Sequence, residues 1–561
     1  MPLLDDHADD DTEVSTSATT SDGHGDDDER SLLNEGNVDI NDGADCNATD
    51  VDTEVESIGC GFFHHRMVII LGLGNAADAV EILAMNYILA DYGTITSWES
   101  SCLTAAVFAG MLVGGLVGGV MADAYGRRPI VLLNLGINAV SALLSALSPS
   151  LNWLILFRCL AGIGVGGIVS CLFALCVEHL PTSARARYIT ILCSFWMVGS
   201  IATAAMAWVM LGNVVGTHTR ILPWANWRHF AACAGLPALT SFLLTYCYVP
   251  ESPRFLASQH QYAEAASVLA RIAHVNGQRE YATPCLTQSD KNHPQRRQDD
   301  PYRMQWFVAS SRLRKVALCL IVTSFALSFG SYGISTWITK LFVSIGLLNP
   351  YANAFLYAGA NLPGNLLSYL VVDAWGPSVL LKIALVGAAA TALLFSFQLI
   401  DTDSTPLRST ASSASSITPT TTQGHHDSSR AVVVLLACVF NAITTAAWNA
   451  FGVVSTNAFP LPVRVTAMSV VSSMGRLGAI AAQFVNGFLI GPPPHLMTLL
   501  VVTASVLLIG AAAVGGVTPA STTSLPRKPK TASGRILRDT DDSTNLSSVV
   551  VRSSHMNVQD E

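Results

Sequence analysis

The sequence predicts an all-α polytopic membrane protein, with twelve transmembrane helices in two pseudo-symmetric six-helix halves. Half of the 561 residues are hydrophobic and only 13% are charged, against about 25% charged residues in soluble domains. Twelve apolar runs reach the roughly 20 residues that a helix needs to cross a bilayer. In addition, two motifs of the first half recur in the second half, which is typical of membrane proteins built from two equivalent parts.

The apolar runs place the helices along the chain. They begin near Met67, Ser101, Pro129, Trp153, Ile189, Phe230, Val316, Ala352, Val379, Val432, Val465 and Leu496. Five regions follow from these positions. We expect a disordered acidic cytoplasmic tail at 1–60, an N-terminal six-helix half at 61–256, and a cytoplasmic central linker with an amphipathic helix at 257–313. A C-terminal six-helix half at 314–517 and a disordered cytoplasmic tail at 518–561 complete the chain.

Charge is distributed unevenly over these regions. The whole chain carries a net charge of -9, but residues 1–57 alone hold nineteen acidic residues against one base, Arg30. Outside the tail, Lys and Arg concentrate in alternate loops, at 127–128, at 185–187 and in the central segment. The positive-inside rule then makes these loops and both termini cytoplasmic. The basic residues form no continuous patch with stacking aromatics, so we expect no nucleic-acid partner.

One fragment of the acidic tail resembles a sorting signal. Asp28 is followed by Leu32 and Leu33 in the pattern D-x-x-x-L-L. This resembles an acidic dileucine motif, which sorting adaptors read for endosomal, lysosomal or vacuolar delivery. We therefore expect the plasma membrane or an endosomal or vacuolar membrane as the location.

The loop between the second and third apolar runs contains a charged motif. It reads Gly119-Val-Met-Ala-Asp123-Ala-Tyr-Gly126-Arg127-Arg128. Asp123 can meet the positive N-terminus of a helix, and Gly126 permits a tight turn. The alternative explanation of these residues is an ordinary turn that happens to carry charges. The pattern G-x-x-x-D-x-x-G-R-R resembles the signature loop of major facilitator superfamily transporters, which implies their fold and a gating role for these residues.

Further motifs extend this resemblance over residues 60 to about 517. The run from Arg158 to Gly166 resembles the superfamily motif R-x-x-x-G-x-G-x-G. Its glycines, like those at positions 110, 114, 115, 118 and 119, suit close packing of helices in lipid. The string PESPRFL at 250–256 resembles the one that closes the first half of sugar porters and organic-ion transporters. Asp78 and Glu81 match the A-D-x-x-E pattern of the synaptic-vesicle-protein-related and organic-ion branch.

The internal repeat carries some of the same motifs into the second half. Asp123 and Gly126 recur as Asp373 and Gly376, and Glu178 and Arg185 recur as Asn457 and Arg464. The second copies depart from the pattern, because Asn457 stands where the branch usually has glutamate. Pro377 and Ser378 also replace the two arginines of the signature loop. These departures keep open a degenerate transporter with altered gating.

Four ionisable residues fall inside apolar runs, namely Asp78, Glu81, Arg158 and Arg476. Each costs about 2.5–3.5 kcal/mol on insertion scales, so each is a candidate functional residue. Asp78 and Glu81 share a helix face, and helix-length arithmetic lets Glu81 meet Arg158. That pair could serve transport or simply lock two helices together. We predict proton or substrate contact for Asp78, and either anchoring or anion binding for Arg476.

Polar and aromatic residues of the seventh and tenth helices are candidates for a cavity wall in the second half. They are Tyr332, Trp337, Asn441, Trp448 and Asn449. The alternative for the aromatic residues is packing or contact with lipid.

Together with the resemblance, these features predict a secondary active transporter. We expect it to move a small organic ion, with a carboxylate favoured, by alternating access coupled to protons. No phosphate-cradling loop, catalytic cluster or metal-ligand spacing is present, so we expect no enzyme activity, cofactor or metal. We further expect a monomer in the lipid bilayer. The alternatives are a sugar transporter and a non-transporting membrane receptor or binding protein on the same fold.

Overall fold

The computed structural model describes residues 50–93, 95–214, 217, 219–278, 281, 283–286, 311–403, 422–459, 461–491 and 494–517. These residues form eighteen helices. The first ten are α1 Val51–Ile58, α2 Phe62–Asp91, α3 Ser97–Tyr125, α4 Arg127–Ala146, α5 Leu151–His179, α6 Arg185–Leu211, α7 Trp227–Ala234, α8 Leu236–Tyr248, α9 Pro253–Ser258 and α10 Tyr262–Val275. The others are α11 Ser311–Ser335, α12 Ile338–Ser344, α13 Pro350–Gly359, α14 Asn361–Trp375, α15 Pro377–Asp403, α16 Thr422–Ala458, α17 Leu461–Ile490 and α18 Leu496–Val514.

The predicted membrane helices are present. Within the described ranges, eleven segments are long and apolar enough to cross a membrane. The eighth predicted span, which begins near Ala352, is divided between α13 and α14, so neither piece has the length by itself. The break has a local cause, because Pro363 cannot donate to the carbonyl of Gly359 and its ring crowds that group. The twelve-helix all-α prediction is therefore confirmed.

The chain divides into two compact units that do not follow the sequence repeat. The first comprises the described parts of Met1–Asp299, Gly333–Gly359 and Ile480–His495, and the second those of Asp300–Tyr332, Ala360–Ala479 and Leu496–Glu561. Within the first unit, Asn86 Oδ1 accepts a hydrogen bond from Thr339 N at 2.9 Å. The rings of Tyr87 and Tyr351 stack at 6.4 Å. Segments that belong to the second half by repeat thus pack on α2, at the end away from the signature loop.

The end of the acidic tail is helical, which corrects the prediction of disorder up to residue 60. Helix α1 buries Val51, Val55 and Ile58, which lie on one face at the spacing i, i+4, i+7. These side chains join a hydrophobic cluster that also contains Leu269 and Ile272 of α10. A helix of eight residues is unstable alone, so this packing holds it. Residues 1–49, which contain the dileucine pattern, lie outside the described residues, as do 518–561.

Helix α10 lies in the central linker, where the sequence predicts an amphipathic helix. Its apolar residues face inward at the expected spacing, with Ala265, Leu269 and Ile272 buried. The rest of the linker, from 287 to 310, lies outside the described residues. Helix α10 shares a hydrophobic cluster with Ala122 and Ile130, so it lies at the signature-loop end of the first unit.

Candidate transport site

Glycines join α3 and α5 closely and thereby fix the depth of Arg158 in the bundle. A Cβ atom added at Gly110 or Gly114 would overlap backbone carbonyls of α5, and one added at Gly162 would overlap a carbonyl of α3. This is the small-residue packing that the sequence predicts. Gly119 differs from the rest of the set, because a Cβ there would meet open space. Close helix contact is therefore not the reason for a glycine at that position.

Arg158 and Glu81 form an ion pair in the interior of the bundle. Arg158 Nη1 lies 2.7 Å from Glu81 Oε1, and the two side chains are 0% and 1% exposed. Arg158 Nε also donates to Ser145 Oγ at 2.9 Å. The contact between Glu81 and Arg158 that helix-length arithmetic allows is thus present, and it links α2, α4 and α5 through one guanidinium.

Asp78 lies one turn before Glu81 on α2 and is 5% exposed. Helix α6 approaches α2 closely beside it, because a Cβ atom at Gly199 would meet the backbone of Ala76. Asn75 strengthens this contact by donating from Nδ2 to Leu192 O at 2.9 Å. Asp78 is therefore buried next to the contact between α2 and α6.

Arg476 of α17 lies beside an aromatic pair in the second unit. Its guanidinium carbon is 5.7 Å from the centroid of the Tyr332 ring, and Nη1 is 3.5 Å from the Tyr332 hydroxyl. The Tyr332 and Trp448 rings are 5.6 Å apart. Trp448 Nε1 donates to Ser331 Oγ at 2.8 Å, which fixes the indole. The structure therefore groups three of the predicted residues into one polar and aromatic cluster, which we call the arginine–aromatic cluster: Arg476, Tyr332 and Trp448.

The two predicted asparagines of α16 differ in their contacts, and the side chain of Asn449 bonds to α14. Asn449 is exposed and donates from Nδ2 to Asn365 Oδ1 at 2.6 Å and to Ser368 Oγ at 2.7 Å. Asn441 is buried, and its carbonyl accepts from Thr445 Oγ1 at 2.8 Å. Of these two residues, only Asn449 has an exposed side chain that a solute could reach in this conformation.

Trp337, the fifth candidate for the cavity wall, belongs to the first compact unit. It is 1% exposed, and its Nε1 donates to Gln483 Oε1 at 2.8 Å. Thr336 Oγ1 donates to the same oxygen at 2.8 Å. The contacts of Trp337 therefore match the alternative of structural packing, and they connect the end of α11 to α17.

The signature loop holds a short ion network. Asp123 Oδ1 lies 2.7 Å from Arg127 Nη1, and Arg127 Nε lies 3.2 Å from Glu178 Oε1. One guanidinium thus joins the ends of α3, α4 and α5. Arg185, which the sequence places in the same motif as Glu178, instead donates from Nε to Leu180 O at 3.3 Å.

Glu251 performs the role that the sequence assigns to Asp123. Its carboxylate accepts the backbone N–H groups of Arg127 at 3.1 Å and Arg128 at 3.2 Å, the first residues of α4. It therefore compensates the positive end of that helix. Gly126 has φ 108°, and a Cβ there would press on the Glu251 carboxylate. Burial raises the pKa of Glu251, against the backbone donors that favour its ionised form.

The second-half copy of the signature loop repeats this backbone geometry. Gly376 has φ 79°, and its N–H donates to Val372 O at 3.0 Å to end α14. Gly126 ends α3 in the same way. Asn457 is exposed, while the side chains of Asp373 and Arg464 lie outside the described residues. The repeat is therefore visible in the backbone of the loop.

Sequence reasoning missed several residues that the structure brings into these sites. Ser145 orients Arg158, Gln483 joins two helices, and Asn86 holds the backbone of Thr339. Glu251 lies in the PESPRFL string, and the string indicates a family motif but does not specify the partner of the Glu251 carboxylate. The other three carried no signal, because a lone polar residue in an apolar run does not specify its partner.

The fold and these sites define the class of the protein. A polytopic helical bundle with a signature loop, repeated in both halves, is a membrane transporter of the major facilitator type. Residues 50–522 match the family model for sugar (and other) transporters, and the chain belongs to that family. The family consists of transporters, in agreement with the expectation that the chain is not an enzyme.

Relatives of known name include transporters of different solutes. The chain is 26% identical over 482 residues to organic cation/carnitine transporter 7 of Arabidopsis thaliana, covering 78% of this chain and 87% of the relative. It is 25% identical over 442 residues to the niacin transporter NiaP of Acinetobacter baylyi, with coverage of 78% and 89%. It is also 29% identical over 313 residues to synaptic vesicle glycoprotein 2C of Rattus norvegicus, with coverage of 50% and 43%.

Solved structures with the same fold include a partially occluded inward open conformation of the xylose transporter XylE from E. coli. The TM-score is 0.62 at 16% sequence identity, and the match covers 82% of this chain and all of that one. This similarity shows the major facilitator fold.

Proposed function

We propose that the chain is a secondary active transporter that moves a small organic ion, with a carboxylate favoured, by alternating access coupled to protons. The observation that carries the proposal is the arginine–aromatic cluster of Arg476, Tyr332 and Trp448. We also propose that both termini are cytoplasmic, since the basic residues concentrate in the loops on that side.

The chemistry of Arg476 suits a carboxylate. Guanidinium groups present five N–H donors in a planar fork that matches two carboxylate oxygens. In the described part of the chain, Arg476 makes one long hydrogen bond, to Tyr332. Most of its donors can therefore serve a bound anion, while the rings of Tyr332 and Trp448 offer a surface for an apolar or cationic part of the solute.

The solutes in the names of two relatives, carnitine and niacin, fit this chemistry. Niacin is an aromatic carboxylic acid, and carnitine carries a carboxylate together with a quaternary ammonium group. Both combine a carboxylate, which an arginine binds, with a ring or a quaternary ammonium group that packs on aromatic faces. These are therefore the first solutes to test.

Proton coupling is proposed for Asp78. The neighbouring Glu81 already pairs with Arg158 at 2.7 Å, so its charge is compensated within the bundle. Asp78 lies on the same helix face, is 5% exposed, and can take up and release a proton as the site alternates between the two sides of the membrane. Alternating access would then link substrate occupancy to the protonation of Asp78.

The test of substrate class is uptake by the purified full-length protein in lipid vesicles. Radiolabelled nicotinate, carnitine and xylose are offered under an imposed pH gradient. We expect uptake of a carboxylate, and we expect Arg476→Gln to reduce it by about tenfold or more, with Arg476→Lys intermediate. Arg430→Gln is the matched control, because Arg430 is exposed at the start of its membrane segment.

Each alternative has its own outcome in this assay. Uptake of xylose but of neither carboxylate would make the protein a sugar transporter. Saturable binding, measured as a ligand-induced rise in thermal stability, without any uptake would make it a receptor or binding protein. Uptake of nicotinate that is unchanged by Arg476→Gln would exclude the arginine–aromatic cluster as its site.

Asp78→Asn tests the proton coupling separately. This variant should lose uphill accumulation driven by a pH gradient but keep exchange of substrate at equal pH on both sides. If Asp78→Asn still accumulates substrate against a gradient, Asp78 is not in the proton path and has a packing role.

A further inference from the structure

Helix α1 is joined to the signature-loop end of the first unit by two carboxylates as well as by its apolar face. Asp52 Oδ1 lies 2.6 Å from Arg254 Nε. Glu56 Oε1 accepts from both the backbone N–H and the hydroxyl of Thr182, each at 2.6 Å. Because both carboxylates have defined partners, α1 docks on the first unit in one position.

The partners of these carboxylates lie next to the gating residues. Thr182 lies in the turn that follows α5, four residues after Glu178, which pairs with Arg127 of the signature loop. Arg254 lies three residues after Glu251, which caps α4. Arg254 also donates from Nη1 to Val177 O at 3.0 Å, so it joins α1 to the last turn of α5.

We infer that α1 is a docked latch that positions Arg254 and the turn at Thr182, and through them the ion network of the signature loop. Release of the latch should loosen that network. It should therefore change the rate at which the transporter alternates, and leave its affinity for substrate unchanged. On this assignment Asp52 and Glu56 are positioning residues, since neither touches the arginine–aromatic cluster in the described structure.

The apolar face and the carboxylates contribute differently to docking. Val51, Val55 and Ile58 are buried, whereas the Asp52 side chain is 69% exposed in its ion pair. An exposed ion pair has little effect on stability, because water and salt screen it. The apolar face therefore supplies most of the attraction, and the carboxylates set the register in which α1 lies against Thr182 and Arg254.

Hydrogen exchange measured by mass spectrometry on the full-length protein in lipid nanodiscs tests the latch. Val55→Asp places a charge in the buried face and should raise exchange in residues 51–58 by more than tenfold. Thr53→Asp is the matched control, because it adds the same side chain at an exposed position of α1. With Val55→Asp, exchange should also rise in the last turn of α5 and in residues 251–256.

A second pair of variants keeps the test decisive if Val55→Asp fails to fold. Asp52→Asn combined with Glu56→Gln should raise exchange in the same three regions by roughly two- to tenfold, the effect of weak surface pairs. Asp50→Asn removes one charge just before α1, where the side chain makes no capping bond, and should change nothing.

The inference is overturned if α1 exchanges freely in the unmodified protein, or if its release leaves α5 and residues 251–256 as protected as before. A transport measurement adds the functional result: the latch variants should alter kcat and leave KM unchanged, and a change confined to KM would contradict positioning. The exchange result does not depend on the identity of the substrate, so failure of the proposed function would be recognised separately.

Discussion

Glu81→Gln should destabilise the protein strongly, because it leaves the Arg158 guanidinium buried without its counter-ion. Glu81 and Arg158 are 1% and 0% exposed and lie 2.7 Å apart. Removal of one partner from a buried ion pair costs about 3–5 kcal/mol, since the other charge stays in a medium of low dielectric. Glutamine offers the guanidinium a neutral amide in place of the carboxylate, so the positive charge of Arg158 stays uncompensated.

The reverse substitution should behave differently with pH. In Arg158→Met the stranded group is a carboxylic acid, which can become neutral by binding a proton. Its folded state then binds more protons than its unfolded state, so its stability should rise as pH falls, by up to about 1.4 kcal/mol per pH unit. Glu81→Gln introduces no titratable group, and its loss of stability should not change with pH. The double variant Glu81→Gln/Arg158→Met should recover most of the loss.

The assay is thermal unfolding of the purified variants between pH 5 and pH 8. For a chain of this length, a loss of 1 kcal/mol corresponds to a fall in Tm of roughly 1–2 °C, so Glu81→Gln should lower Tm by several degrees. The reasoning is refuted if both single variants show the same pH dependence, or if the double variant is as unstable as the worse of the two.

Four further outcomes can be checked. Asp123→Asn should keep expression but slow transport, because it weakens the contact with Arg127, and an unchanged rate in vesicles would contradict this. Gly114→Leu should lower Tm by several degrees by forcing α3 from α5, whereas Gly119→Leu, in open space, should not. Replacement of both leucines of the dileucine pattern by alanine should move a fluorescent fusion from internal membranes towards the cell surface, and identical distributions would exclude the signal. Burial raises the pKa of Glu251, so the folded state keeps the proton at pH values where the unfolded chain has lost it. Stability should therefore fall as pH rises from the usual pKa of Glu to the raised pKa of Glu251. Glu251→Gln should make Tm less dependent on pH over this range.

The helices could be predicted because their signal is local. About 20 apolar residues in sequence specify a membrane span without reference to the rest of the chain. The break between α13 and α14 also has a local cause, since Pro363 disrupts the turn at Gly359. Helix α1 could not be found in this way, because its three buried residues are spread through an acidic segment and are stabilised by α10, which lies far along the chain.

The site residues were predictable only where geometry restricts the choice of partner. Glu81 and Arg158 are charges in apolar helices, so helix length alone brings them to similar depths. At the signature loop, the motif indicates Asp123 as the partner of a helix N-terminus, whereas Glu251 accepts the first N–H groups of α4. The amides that Glu251 accepts lie 123 and 124 residues away, and backbone donors carry no sequence signal of their partner.

The two ends of the first unit differ in how many charged groups make their contacts. At the signature-loop end, ion pairs of Arg127 and Arg254 and the Glu251 carboxylate make the contacts. At the other end, Asp91 pairs with Arg220 at 2.7 Å, and neutral groups such as Asn86 hold the segment 333–359 on α2. Salt screens exposed charges, and pH changes carboxylates, but neither acts on amide hydrogen bonds or apolar packing to the same degree. We therefore expect ionic strength and pH to loosen the signature-loop end first, while the neutral contacts between α2 and the segment 333–359 persist.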